Sequence, residues 1–247
     1  MIPAHITPIN SPIHRVDPRV RFLGGLMLAL VLALSSTPIV LLCGLALGII
    51  LCLLARLPWI ALRPRLFTIA TFAVLLLAFL PLEIEPHSTL RLTYHPERVA
   101  LAATLILKAF SIVLVFTALV STIEPVTLGH ALRHLGCPAS IILMLLFTIR
   151  YAETLTAEAR RMQAAMALRG FRPRLHPRSL LHFGTLAGML IARSIDRSER
   201  IMDAMTCRGF NGTFHLYRHF AFTTRDLVAT FLLATAAILL LTLHLLA

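Results

Sequence analysis

Apolar residues fill this chain in long unbroken runs, and the lengths of those runs predict helices. Residues 22–55 contain no charged side chain. As one helix these 34 residues would reach about 51 Å, against a hydrocarbon core of roughly 30 Å. The SSTP at 35–38 offers a break, because the residue before a proline is pushed out of helical geometry. Two short spans are therefore expected, about 20–36 and 38–55, joined by a tight uncharged turn. Apolar runs at 66–82, 99–121 and 226–246 bring the expected total to five. Between the third and fourth, 83–98 reads as a polar loop of mixed sign with Glu83, Glu85, Arg91, Glu97 and Arg98. In SPIHRVDPRVRF, Asp17 can cap a helix whose first position is Pro18, which predicts a short interfacial lead-in to the first span.

Residues 122–225 change character. TIEPVTLGHALRHLGCP (122–138) reads as a short amphipathic helix with Leu128, Ala131, Leu132 and Leu135 on one face. Pro125 opens it, and Gly136 with Pro138 closes it. ASIILMLLFTI (139–149) and LLHFGTLAGMLIA (180–192) are apolar but too short to cross a bilayer. Each continues into charged sequence without a break, so each is expected to be one long helix, apolar first and amphipathic afterwards. The expected fold is an all-α integral membrane protein of about five transmembrane helices. Its domains are a membrane part with an N-terminal interfacial segment at 1–121, a cytoplasmic module of about three helices at 122–225, and a final transmembrane helix at 226–247.

Composition narrows the class. Of 247 residues 58% are hydrophobic and 14% charged, too little charge to cover a soluble domain of this size. The formal net charge is +12, and Lys108 is the only lysine. Such an excess in a soluble chain would suggest nucleic acid, but no surface of interleaved aromatic and basic residues supports that here. Membrane proteins concentrate arginine on the cytoplasmic side. Five spans with the N-terminus inside place 20 of 22 arginines there, leaving Arg91 and Arg98 in the outer loop. MIPAHITPIN lacks a basic region leading into an apolar core, so no cleaved signal peptide is expected. Cys43, Cys52, Cys137 and Cys207 form no C-x-x-C, which argues against a zinc site or disulfides.

One motif occurs twice. EARRMQAAMALRGF (158–171) lies over RSERIMDAMTCRGF (197–210) at an offset of 39 residues. Arg161 matches Arg200, Met162 matches Ile201, and Ala-Met-x-x-Arg-Gly-Phe follows in both. In the first copy Leu155, Ala159, Met162 and Met166 share a helical face; in the second, Ile191, Ile195, Met202 and Met205 do so with one gap. Each block reads as a helix C-terminus shaped for a partner's pocket. Gly170 and Gly209 supply the left-handed closing residue. Arg169 and Arg208 sit at the negative end of the helix dipole, where a guanidinium can fork onto carboxylates beyond the end. Ala165 and Ala204 leave room for close approach, and Met166 and Met205 offer adaptable apolar contact. An Arg-Gly ending alone is common, but two matched copies suit two copies of one partner.

At these residues the chain resembles the transmembrane T subunit of energy-coupling factor (ECF) transporters, a class of ABC importer, particularly the CbiQ type of cobalt and nickel systems. The resemblance runs through HRVDPRVR (14–21), EPVTLGHALRHLGCP, IRYAETLTAEARRMQAAMALRG and RSERIMDAMTCRGF. The family's paired arginine motifs map onto Leu168-Arg169-Gly170 and Cys207-Arg208-Gly209; the usual small residue before Arg is Leu in one copy and Cys in the other. The resemblance implies a multi-pass protein of the bacterial inner membrane that scaffolds two ATP-binding-cassette subunits, each receiving one coupling-helix end. A separate substrate-binding S component captures the metal, with a small accessory membrane subunit in some systems. ATP is bound by the partners, so no cofactor is expected on this chain. Vitamin importers use a similar T subunit.

Other classes fit less well. The single lysine stands in LILKAF, so there is no P-loop and no ATPase of its own. Lys108 lies mid-span, where an ionisable group is a functional candidate; a contact to another subunit or a packing role is favoured over lining a pathway. His87, His95, His130 and His134 lack the Cys, Asp or Glu neighbours that would complete a metal site. No His/Glu or Ser/His/Asp set at membrane depth suggests an intramembrane hydrolase. A stand-alone carrier predicts repeats among the spans, whereas the repeat here is outside them. A membrane anchor without transport uses the same docking residues as a coupling subunit.

Overall fold

A computed structural model describes residues 11, 13, 16–80, 82–84, 92–94, 96–171, 177–210 and 224–246. Among these, eight helices account for nearly all the regular structure: α1 (Pro18–Leu34), α2 (Pro38–Leu54), α3 (Trp59–Phe79), α4 (Pro96–Leu119), α5 (Pro125–His134), α6 (Ala139–Leu168), α7 (Pro177–Cys207) and α8 (Thr224–Leu246). Two three-residue strands, β1 (Leu82–Ile84) and β2 (Leu92–Tyr94), pair antiparallel with Glu83 opposite Thr93. The polar loop expected at 83–98 thus carries a small hairpin and the first turn of α4. Its Glu85, His87, Arg91 and His95 lie outside the described residues.

Local chemistry explains the first two helices. Asp17 caps α1, accepting from the Arg19 amide at 2.9 Å, and Pro18 takes the first position. The capped segment is α1 itself, so the expected lead-in and first span are one helix. The break falls at Ser35–Thr37 and Pro38 opens α2. The third helix begins at Trp59, well before the apolar run at 66; Pro64 lies inside it.

The chain divides into two compact units, and the division falls inside α5. Unit 1 comprises residues 1–128 and 220–247. Within it α2 packs along α4, α1 lies against α4 and α8, and α3 covers another side of α4. Leu28 and Leu32 of α1, Val40 and Leu41 of α2, Val115 and Leu119 of α4, and Leu240 of α8 form its core. Gly48 allows the α2–α4 contact, because a Cβ there would stand 2.9 Å from the Cβ of Leu114; small residues four apart, here Gly44 and Gly48, are the usual device for close packing of membrane helices. The outer faces are apolar as well: Leu30, Leu53, Phe67 and Phe231 are all more than half exposed. A surface like that belongs in lipid.

Among the described residues four helices are long and apolar enough to cross a membrane, within α3, α4, α6 and α8, and α2 is a shorter apolar helix. The chain is a multi-pass membrane protein. As the short runs predict, α1 and α2 have 17 residues each and reach only about 25 Å. One element differs from expectation. The α6 helix is continuous as expected, 30 residues long. Its apolar start, however, which reads as too short to span, belongs to a helix long and apolar enough to cross a membrane, with only Arg150 and Glu153 interrupting its first five turns.

Unit 2, residues 129–219, is built on α6 and α7. Leu155, Ala159, Met162 and Met166 are all half-buried, as their common face predicts. The face of α7 marked by Ile191, Ile195 and Met202 is exposed instead.

Candidate functional site

The two helix ends close in the same way, bond for bond. At the end of α6 the Phe171 amide donates to the Met166 carbonyl at 3.1 Å and the Gly170 amide to that of Ala167 at 3.0 Å. At the end of α7 Phe210 donates to Met205 at 3.0 Å and Gly209 to Thr206 at 2.9 Å. This pair of crossed bonds is a Schellman closure, which needs a left-handed residue beyond the cap. Gly170 has φ +82° and Gly209 φ +81°. Exposure matches too: Met166 and Met205 are half-buried, as are Phe171 and Phe210, while Ala165, Leu168, Arg169 and Gly170 and their counterparts Ala204, Cys207, Arg208 and Gly209 are exposed. Leu168 is 90% exposed, the largest value for any bulky apolar side chain described. Burial of such a residue favours contact with another surface. Cys207 is a free thiol.

A cavity of about 680 Å³ opens beside the end of α6, bounded by Met162, Met166 and Arg169 on one side and His182, Met189 and Arg193 on the other. Phe171 reaches over it edge-on to His182 and Phe183, with ring centroids 5.3 and 5.6 Å apart. Glu158 ties the wall together, accepting from Arg161 of its own helix at 2.7 Å and from Arg193 of α7 at 2.5 Å. Ser179, His182, Leu186, Met189 and Arg193 all line the cavity and step by three or four residues, one stripe of α7. Sequence reasoning missed them. The period was there to be read, but nothing local says which stripe of α7 meets α6.

The same contacts separate the ends. The first half of α7 runs beside the last part of α6, so Arg169 stands near Ser179. From Ser179 to Arg208 is 29 residues of continuous helix, or about 44 Å. The two arginines therefore lie at opposite ends of α7 and cannot enter one pocket together.

Lys108 does not belong to this site. Its Nζ donates to the Ala33 carbonyl at 2.9 Å, in the last turn of α1. Among the described residues no group of three or more His, Cys, Asp or Glu comes together as metal ligands would.

A family model described as cobalt transport protein, CbiQ, matches residues 9–217, which take in α1 to α7 and both helix ends. This chain belongs to the CbiQ cobalt transport protein family. Among curated proteins, none matches it. Family membership and the apolar helices together make the chain a membrane component of a transport system.

Proposed function

We propose that this member of the CbiQ family is the transmembrane coupling subunit of an ECF-type importer. Two ATP-binding-cassette subunits each grip one helix end, and a separate substrate-binding membrane subunit receives the motion. The single observation that supports this most is the doubled Schellman-closed ending: two arginines on matching backbone geometry, one at the end of α6 and one at the end of α7. Matching tips on two different helices suit two identical receptors. In this reading the N-terminus and residues 122–225 face the cytoplasm, the chain sits in the inner membrane, and ATP is bound and hydrolysed by the partners alone. The family's description favours cobalt, with nickel as the chemically nearest cargo, over a vitamin.

The test is Arg169→Ala combined with Arg208→Ala, coexpressed with the ATPase and substrate-binding subunits of such an importer. Interface arginines in desolvated pockets often cost at least ~2 kcal/mol when truncated. The expected result is loss of metal uptake and loss of ATPase copurification. Each single variant should keep one ATPase attached and transport poorly. A double variant that assembles and transports normally overturns the assignment. One that still pulls down both ATPases but fails to transport would move the docking surface elsewhere on the chain.

A further inference from the structure

Two guanidiniums from different helices converge on the end of α4. Arg21, at the start of α1, is 4% exposed and donates to the Thr122 hydroxyl. Arg65, on α3, donates to the Ser121 hydroxyl. These acceptors are consecutive residues just past Leu119, so both cations face the same turn of backbone. Arg21 Nε and one Arg65 terminal nitrogen, Nη1, are buried with no hydrogen-bond partner. Among the described residues no carboxylate pairs with either arginine. Asp17 lies 4.0 Å from Arg19 through Oδ1 while its buried Oδ2 has no hydrogen-bond partner, Asp226 accepts from the Asp17 amide, and Glu124 accepts from Thr127. Hydroxyls are neutral, and the end of α4 supplies only a fraction of a negative charge. A buried guanidinium in such a setting is strongly disfavoured unless a counter-charge reaches it.

We propose that Arg21 and Arg65 hold a phosphate group, supplied by the headgroup of an anionic phospholipid. Guanidinium forks match phosphate oxygens, and the unpartnered nitrogens are the donors such a group would take. The location selects lipid over a soluble anion. Arg21 stands where the charge-free run of α1–α2 begins, and Arg65 follows Trp59 and Ile60, which are 71% and 85% exposed. Exposed tryptophan beside arginine marks the headgroup level of a membrane. Basic pockets between membrane helices at that level recognise anionic headgroups. Arg56 and Arg63, both exposed on the same approach, add attraction without belonging to the site. The inference is independent of the ATPase assignment.

The full chain, delipidated in neutral detergent, should unfold several degrees higher when phosphatidylglycerol is added, because a ligand bound to the folded state alone stabilises it. Phosphatidylcholine and inorganic phosphate should give little shift. Arg65→Gln should remove at least half of the phosphatidylglycerol shift, and the control Arg63→Gln should keep it. Arg21→Gln should remove it too, but that buried change also strains folding, so Arg65→Gln decides. Native mass spectrometry of the unmutated chain gives an independent readout: one retained phosphatidylglycerol, preferred over phosphatidylcholine. Equal shifts with both lipids, a shift that survives Arg65→Gln, or no preference in the mass spectrum would each overturn the site. A shift with inorganic phosphate as large as with lipid would overturn the lipid as its occupant.

Discussion

A left-handed glycine one step beyond an arginine sets the direction in which each helix end points. At Gly170 and Gly209 a Cβ would meet nothing within 4 Å, so the penalty for a side chain there is entirely backbone. A non-glycine residue in this region costs roughly 1–2 kcal/mol. Gly170→Ala should therefore loosen the last turn of α6 without disturbing packing, and Asn, which tolerates the conformation, should recover part of the loss. Amide hydrogen exchange over residues 165–171 would measure it, with unchanged protection in Gly170→Ala as the contrary result. Lys108 works at the same scale. Its ammonium satisfies one of the terminal carbonyls of α1 that have no partner within the helix, which accounts for a charge at mid-span without a transport pathway.

At the scale of elements, the glycines of α2 and α7 look alike in sequence and do opposite things. Gly44 and Gly48 are four apart, as are Gly184 and Gly188. Gly48 lies against Leu114 and Val115 of α4, whereas nothing lies within 4 Å of Gly184 or Gly188. Gly48→Val should force α2 from α4 and lower stability by about 1–3 kcal/mol. Gly188→Ala should raise it by roughly 0.5–1 kcal/mol, since an exposed helical glycine is only an entropic cost. Thermal unfolding of the two variants in the same detergent compares them, and equal effects would refute the α2–α4 packing. Between α6 and α7, Glu158 is the specific tie. Its arginine partners are exposed, so the pairs are worth little in stability, but they join the two helices at one register.

For the whole molecule, the distribution of arginine and the spacing of the helix ends point the same way. If residues 122–225 face the cytoplasm, a protease site inserted at 172–178 should be cut only when protease reaches the inner side of the membrane. Cleavage in intact cells by external protease would reverse the orientation. The separation of Arg169 and Arg208 also makes α7 the one element common to both ends, which is the reason two partners can be linked through a single chain.

What the amino-acid sequence determined by itself is whatever depends on a few neighbouring residues. Pro38 ends one helix and begins another; Asp17 and Pro18 start α1; Gly170 and Gly209 close α6 and α7; uncharged runs of sufficient length seek lipid. Each follows from local sterics, capping or transfer from water, and each was legible. The tertiary structure alone decided what joins residues far apart. Lys108 meets Ala33, Arg21 meets Thr122, the Asp17 amide meets Asp226, and β1 finds β2 within a segment that reads as loop. It also set a stripe of α7 beside the end of α6, where the two helices bound a cavity. Those outcomes rest on which faces meet when helices pack, and a linear pattern specifies the faces without specifying their partners.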